Sequence, residues 1–149
     1  MNIKHLTWAQ RLCSQREYCA YDLRLKLKSK GVEAKEAELV IATLTQQNFL
    51  NETRYVHAFV HDKSKLQGWG PEKIRHTLRA KQLPDSLICS ALAEINHNTQ
   101  IETLRRLFET KRRSIKDTSE SELRVKLFRF ALSRGFSYED INDYLCGSN

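Results

Sequence analysis

The chain has 149 residues, enough for one ordinary domain, and carries 25 Lys and Arg against 18 Asp and Glu, a formal charge of +7. No stretch approaches the roughly 18 apolar residues that span a bilayer, and Met1-Asn2-Ile3-Lys4-His5 lacks the apolar run of a secretory signal, so a cytoplasmic protein is expected. With only five Gly and two Pro and no sustained strand alternation, the composition predicts an all-α fold without sheet, and the positive balance favours an acidic partner.

In chain order, Thr7 and Gln10 have capping-box spacing and predict a helix over 7–15. Arg16-Glu17-Tyr18 is the joint to a second helix over 19–30, which Gly31 ends, because glycine tolerates the left-handed cap. A third helix over 34–47 presents Ala37, Val40, Ile41 and Leu44 at helical spacing. Asn51 is a candidate cap for a helix over 52–66 with Tyr55, Phe59 and Val60 inward. Gln67-Gly68-Trp69-Gly70 then stops it, and Pro71 suits the first turn of a helix running to about Lys81. Pro84-Asp85 opens a helix over 85–95, and Asn96-His97-Asn98 reads as a loop. A helix over 99–112 is followed by a connection, Arg112 to Asp117. Ser119 with Glu122 caps a helix ending at Gly135, and Ser137 with Asp140 starts the last one, which stops near Cys146.

One pattern recurs three times. Two apolar residues four apart precede a tight turn carrying an apolar residue, and a second apolar series follows. The copies are Leu23, Leu27, Gly31-Val32, Ala37, Ile41; then Ile74, Leu78, Gln82-Leu83, Ile88, Leu92; then Leu127, Ala131, Gly135-Phe136, Ile141, Leu145. From Gly31 to Gln82 is 51 residues and from Gln82 to Gly135 is 53. A period of this size predicts an elongated, curved array of three tandem three-helix repeats, nine helices in all, with units at 1–50, 51–97 and 98–149.

The middle helix of each repeat carries the informative charges. At about 100° per residue, Arg24 and Lys28 share one flank of the Leu23–Leu27 stripe, and Arg75 and Arg79 share the same flank in the second copy. Lys81 matches Lys30, and Arg54 lies nearby. In the third copy the equivalent flank is Phe128 and Leu132. Basic residues beside an apolar stripe can simply snorkel over the core. Repetition in register favours the other reading, a track of Arg24, Lys28, Lys30, Arg54, Arg75, Arg79 and Lys81 that meets an acidic partner. Trp69, between two glycines, reads as a plug over the second unit or, if exposed, as an aromatic anchor for a partner.

Catalytic patterns are missing. There is no phosphate-binding Gly-rich loop and no Gly-x-Ser-x-Gly elbow, so no enzyme and no cofactor are expected. His57 and His61 are four apart on a predicted helix but have no third ligand nearby. Cys13, Cys19, Cys89 and Cys146 lack any CxxC spacing and are expected as reduced thiols in or near the core. Asn51-Glu52-Thr53 reads as a helix cap rather than a glycosylation acceptor.

Several segments resemble the RecX family of regulators of the RecA recombinase. Arg16-Glu17-Tyr18-Cys19 with Asp22-Leu23, Lys26-Leu27 and Lys30-Gly31 is similar to that family's R-E-Y-S…E-L…K-L…K-G stretch. Asn51-Glu52-Thr53-Arg54-Tyr55 with Ala58-Phe59-Val60 resembles its D-D-E-R-F-A…F-V stretch, and Gly68-Trp69-Gly70-Pro71 with Ile74-Arg75 and Leu78 its G-x-G-P-x-x-I-x-x-E-L signature. Asp22, Thr53 and Gln82 depart from the usual Glu, Glu and Gly. The resemblance implies three three-helix units, binding to RecA and its single-stranded DNA filament, inhibition of recombinase and ATPase activity, some DNA affinity, and a role in DNA repair and the SOS response; nothing in the residues suggests an obligate dimer, so a monomer is expected. The rival expectation is a sequence-tolerant DNA-binding protein of helix-turn-helix-like units.

Overall fold

Apolar residues at helical spacing gather into three separate cores in the computed structural model, which describes residues 1–147. Among the described residues there are nine α-helices, one π turn and no strand: α1 Ile3–Gln15, α2 Ala20–Ser29, α3 Ala34–Gln46, α4 Glu52–His61, α5 Pro71–Ala80, α6 Asp85–Ala93, α7 His97–Ser114, α8 Glu120–Ser133 and α9 Tyr138–Gly147. The π turn, Asp62–Leu66, extends α4. Leu6 and Ala9 of α1, Leu23 and Leu27 of α2, and Val40 and Leu44 of α3 close the first core. The second joins Val56 and Val60 of α4 to Ile74, Leu78 and Ile88, and the third joins Leu104 and Phe108 of α7 to Leu127, Ala131 and Ile141. Burying each such side chain stabilises by roughly 1.5–3 kcal/mol, so the α2, α5 and α8 stripes hold their units together.

The threefold sequence pattern is a threefold turn. Val32 N–H donates to Leu27 O (3.0 Å) and Gly31 N–H to Lys28 O (3.0 Å), the paired bonds of a Schellman cap. Leu83 to Leu78 (3.3 Å) with Gln82 to Arg79 (2.9 Å), and Phe136 to Ala131 (3.2 Å) with Gly135 to Leu132 (3.0 Å), repeat it. The left-handed residue is Gly31 (φ +89°), Gln82 (φ +62°) or Gly135 (φ +95°). The apolar residue after it is buried at 6%, 5% and 3% exposure respectively, which explains why the sequence places Val, Leu or Phe there.

Local capping follows the sequence at Asn51, Ser119 and Ser137, whose side chains accept from Arg54 N–H (3.0 Å), Glu122 N–H (3.2 Å) and Asp140 N–H (3.1 Å). Three expectations need correction. Helix α1 starts at Ile3, because Asn2 caps Lys4 N–H (2.9 Å) while the Thr7 hydroxyl donates back to Ile3 O (2.9 Å). Helix α7 absorbs both the expected loop at His97-Asn98 and the start of the expected connection, since Asn96 caps Asn98 N–H (2.8 Å) and the helix continues to Ser114. Of the cysteines only Cys19 is buried. Cys13 is half-buried, and Cys89 and Cys146 are exposed on α6 and α9.

Candidate functional site

Arg24, Lys28, Arg75 and Arg79 project from α2 and α5 beside their buried stripes, and three of the four already hold a carboxylate. Arg24 Nε meets Glu38 of α3 at 2.5 Å, Arg79 Nε meets Asp85 of α6 at 2.7 Å, and Arg75 meets Glu72, one turn back, at 2.7 Å. The Arg24 pair holds the Glu38 carboxyl below, and the arginine above, its ordinary range. Lys28 is exposed, with no carboxylate in salt-bridge range among the described residues. These pairs are open to water, so they orient the guanidiniums and add little stability.

The remaining track residues have other partners. Lys30 lies over the Trp8 ring at 4.5 Å, and Lys81, 51 positions on, lies over Phe59, also 51 on from Trp8, at 5.5 Å. Lys81 also pairs with Asp22 of the first unit at 2.9 Å and donates to the Tyr55 hydroxyl at 2.9 Å, which in turn donates to Asp22 at 3.2 Å. Arg54 reaches Glu17 at 3.0 Å, the Asn48 side chain at 3.0 Å and Asn48 O at 2.9 Å. Glu52 accepts from Ala20 N–H at 3.1 Å, and the Cys19 side chain enters the second core. Arg54 and Lys81 therefore fasten the first unit to the second.

Trp69 is half-buried on the second core, edge-on to Phe59 (6.1 Å), with Lys63 and Lys73 over its ring at 4.7 and 4.1 Å. That environment suits the plug. The glycine after it joins the second unit to the third. Gly70 N–H donates to Arg134 O (2.7 Å) and Glu72 N–H to Gly135 O (2.8 Å), so the C-terminal carbonyls of α8 satisfy the N-terminal donors of α5. A Cβ on Gly70 would stand 2.4 Å from the Gly135 backbone, and one on Gly135 2.3 Å from Lys73 Cβ.

Beside this seam lies a cationic groove that the repeat arithmetic did not reveal. Lys65, Arg106, Lys111 and Arg134 line it together with Phe130, and no carboxylate does among the described residues. Lys111 and Arg134 lie over the Phe130 ring at 4.9 and 5.2 Å. The residues come from the end of the π turn, α7 and the C-terminus of α8, and no single spacing links them. The equivalent of Arg75 and Arg79 in the third unit, Phe128 and Leu132, lines a different groove between α8 and α9. The histidines meet carboxylates, His57 with Glu94 at 3.1 Å and His61 with Asp62 at 3.4 Å, and among the described residues no helix is long and apolar enough to cross a membrane.

Residues 51–92 match the family described as RecX, second three-helix domain, and residues 98–145 match RecX, third three-helix domain. A regulatory protein RecX of Haemophilus ducreyi is 36% identical over 86% of this chain and 82% of its own length. One from Clostridium botulinum is 33% identical over 81% of this chain but 57% of its own length, so the chain spans just over half of that relative. The fold is similar to a crystal structure of regulatory protein RecX, with a TM-score of 0.87 at 21% identity over 98% of this chain and 73% of that one. It is also similar to that of RecX from Lactobacillus salivarius, with a TM-score of 0.80 at 22% identity over 95% of this chain and 92% of that one. An all-α array of three-helix units, with the second and third units matched in order and close relatives along most of its length, establishes that the chain belongs to the RecX family.

Proposed function

We propose that this chain binds the RecA recombinase and its single-stranded DNA filament in the bacterial cytoplasm and inhibits recombinase and ATPase activity, without being an enzyme itself. The observation that supports this reading most is the repeated cationic flank, Arg24 and Lys28 on α2 and Arg75 and Arg79 on α5, in a chain of a family whose curated members are named regulatory proteins. Two weak sites on one chain reinforce each other when both meet subunits of one filament. Charge reversal of Arg75 and Arg79 to Glu is expected to raise the concentration needed to inhibit strand exchange and ATP turnover about tenfold or more, because like charges then face each other. Arg79 is exposed and Arg75 half-buried on α5, and circular dichroism checks that the double variant keeps its fold. Undiminished inhibition would rule this contact out.

A second reading is favoured by the groove around Phe130, where Lys111 and Arg134 lie over the ring and Lys65 and Arg106 line the same wall. A strand of nucleic acid could set its phosphates on Lys65, Arg106, Lys111 and Arg134 and a base on the ring. Base reading by the third helices is disfavoured, since α3 carries Glu36 and Glu38 and α6 carries Asp85. Filter binding without RecA separates the readings: tight, salt-steep retention of DNA lost in Lys111→Glu favours the second.

A further inference from the structure

The second and third helices of each unit face each other three times, and only in the third does no arginine–carboxylate pair tie them among the described residues. With periods of 51 and 53, Arg24, Arg75 and Phe128 are equivalent, as are Lys28, Arg79 and Leu132; Ala34, Asp85 and Tyr138; and Glu38, Cys89 and Asn142. In the first unit Arg24 and Glu38 tie α2 to α3, and in the second Arg79 and Asp85 tie α5 to α6. Between α8 and α9 no ion pair crosses among the described residues. Phe128 stacks edge-on against Tyr138 at 4.9 Å, and the groove is left open.

This groove, of about 460 Å³, is walled by Val125, Phe128, Leu132, Tyr138 and Leu145. Val125, Leu132 and Tyr138 remain 50%, 44% and 66% exposed, so the apolar wall faces solvent rather than a neighbouring unit. A contiguous apolar patch of this kind marks an interaction surface. Val125, Phe128 and Leu132 follow helical spacing along α8, the ridge against which another helix packs.

Charge selects the occupant. Arg124 and Arg129 line the groove on the α8 side, and no carboxylate lines it among the described residues. Arg124 donates to Leu145 O (2.6 Å), Arg129 is exposed, and neither meets a carboxylate among the described residues. Glu139, Asp140 and Asp143 of α9 lie outside the lining. A second copy docking through the same α8 face would set arginine against arginine. We propose that the α8–α9 groove docks a short amphipathic helix of a partner protein, apolar on one face and acidic on the flank that meets α8. This goes beyond RecA inhibition and does not depend on what the basic flanks of the first two units meet.

The test uses the whole chain and a fluorescein-labelled synthetic helix of roughly 18 residues, about five turns. Leucines form one stripe and glutamates flank it; a twin carries lysines in place of the glutamates. Fluorescence anisotropy is expected to show the acidic peptide binding about tenfold or more tighter than its twin. Leu132→Glu should weaken it at least about tenfold and Arg129→Glu about threefold. Leu132→Ser replaces Leu132→Glu if circular dichroism shows a loss of fold. Amide shifts on titration should cluster on α8 and α9. Equal affinity for both peptides, no binding of the acidic one, or indifference to both Leu132 variants would each overturn the proposal. So would concentration-dependent dimerisation abolished by Leu132→Ser, which would make a second copy the occupant.

Discussion

The Cys19 thiol has no exposure and sits in the core of the second unit, although its backbone caps α2 of the first. Burial pushes its pKa from 9.0 up to about 11, with a hydrogen bond from the Asp22 backbone pulling the other way. The folded state thus holds this proton more tightly than the unfolded chain. The stability it contributes is fully present below pH 9 and drains away as pH rises towards 11. Burial raises the Tyr55 hydroxyl as well, and it adds to the same alkaline limb. Two outcomes follow. In the native protein Cys89 and Cys146 should react with iodoacetamide first, Cys13 more slowly and Cys19 only on unfolding, as peptide mapping would show. Cys19→Ala should cost about 1 kcal/mol at neutral pH and flatten the fall in stability between pH 9 and 11, read from urea midpoints. The burial of Cys19 was legible as a thiol near a core. Its choice of core was not, because a residue four places before Leu23 in the chain packs across a joint that no local period records.

Among elements, the three Schellman turns have one backbone shape and three different surroundings. Gly31 has nothing within 4 Å of a would-be Cβ, so Gly31→Ala should cost only the left-handed penalty, about 1 kcal/mol. Gln82 already bears that penalty at φ +62°, and Gln82→Gly should stabilise by about 0.5–1 kcal/mol. Gly135→Ala adds a collision 2.3 Å from Lys73 Cβ to the same strain, so it should cost more than about 2 kcal/mol. It should also expose the Gly70 and Glu72 amides to hydrogen exchange, while helicity by circular dichroism stays. Thermal melts of the three variants should therefore rank Gln82→Gly, then wild type, then Gly31→Ala, then Gly135→Ala. The turns were readable in the sequence because an apolar residue after a left-handed position has one local cause. The seam between Gly70 and Gly135 was not, since its hydrogen bonds join backbone groups 64 and 63 positions apart (Gly70 with Arg134, Glu72 with Gly135) and leave no side-chain pattern. Helix α1 shows the same limit at short range. Thr7 and Gln10 have the right spacing for a capping box, but Asn2 reaches the first free amide before them.

At the scale of the molecule, three small cores are joined in two unlike ways. Side-chain charges around Asp22, Tyr55 and Lys81 link the first pair, and a helix end abutting a helix end links the second. Helical-wheel arithmetic found the cationic flanks but not the carboxylates that meet them, because Glu38 and Asp85 belong to the following helix and arrive only through packing. That pairing gives a sharp test of the proposed contact. Glu38→Gln, Glu72→Gln and Asp85→Asn together take the formal charge from +7 to +10 and leave Arg24, Arg75 and Arg79 without partners. Exposed pairs are worth about 0–1 kcal/mol each, so the melting temperature should move little. If the arginines meet an anionic filament, freeing them should strengthen inhibition of RecA and steepen its decline with salt, as more counterions are released on binding. If the arginines serve only to tie α2 to α3 and α5 to α6, the triple variant should lose stability and gain no inhibition. The same substitutions thus push function and stability in directions that distinguish a contact surface from a set of internal ties.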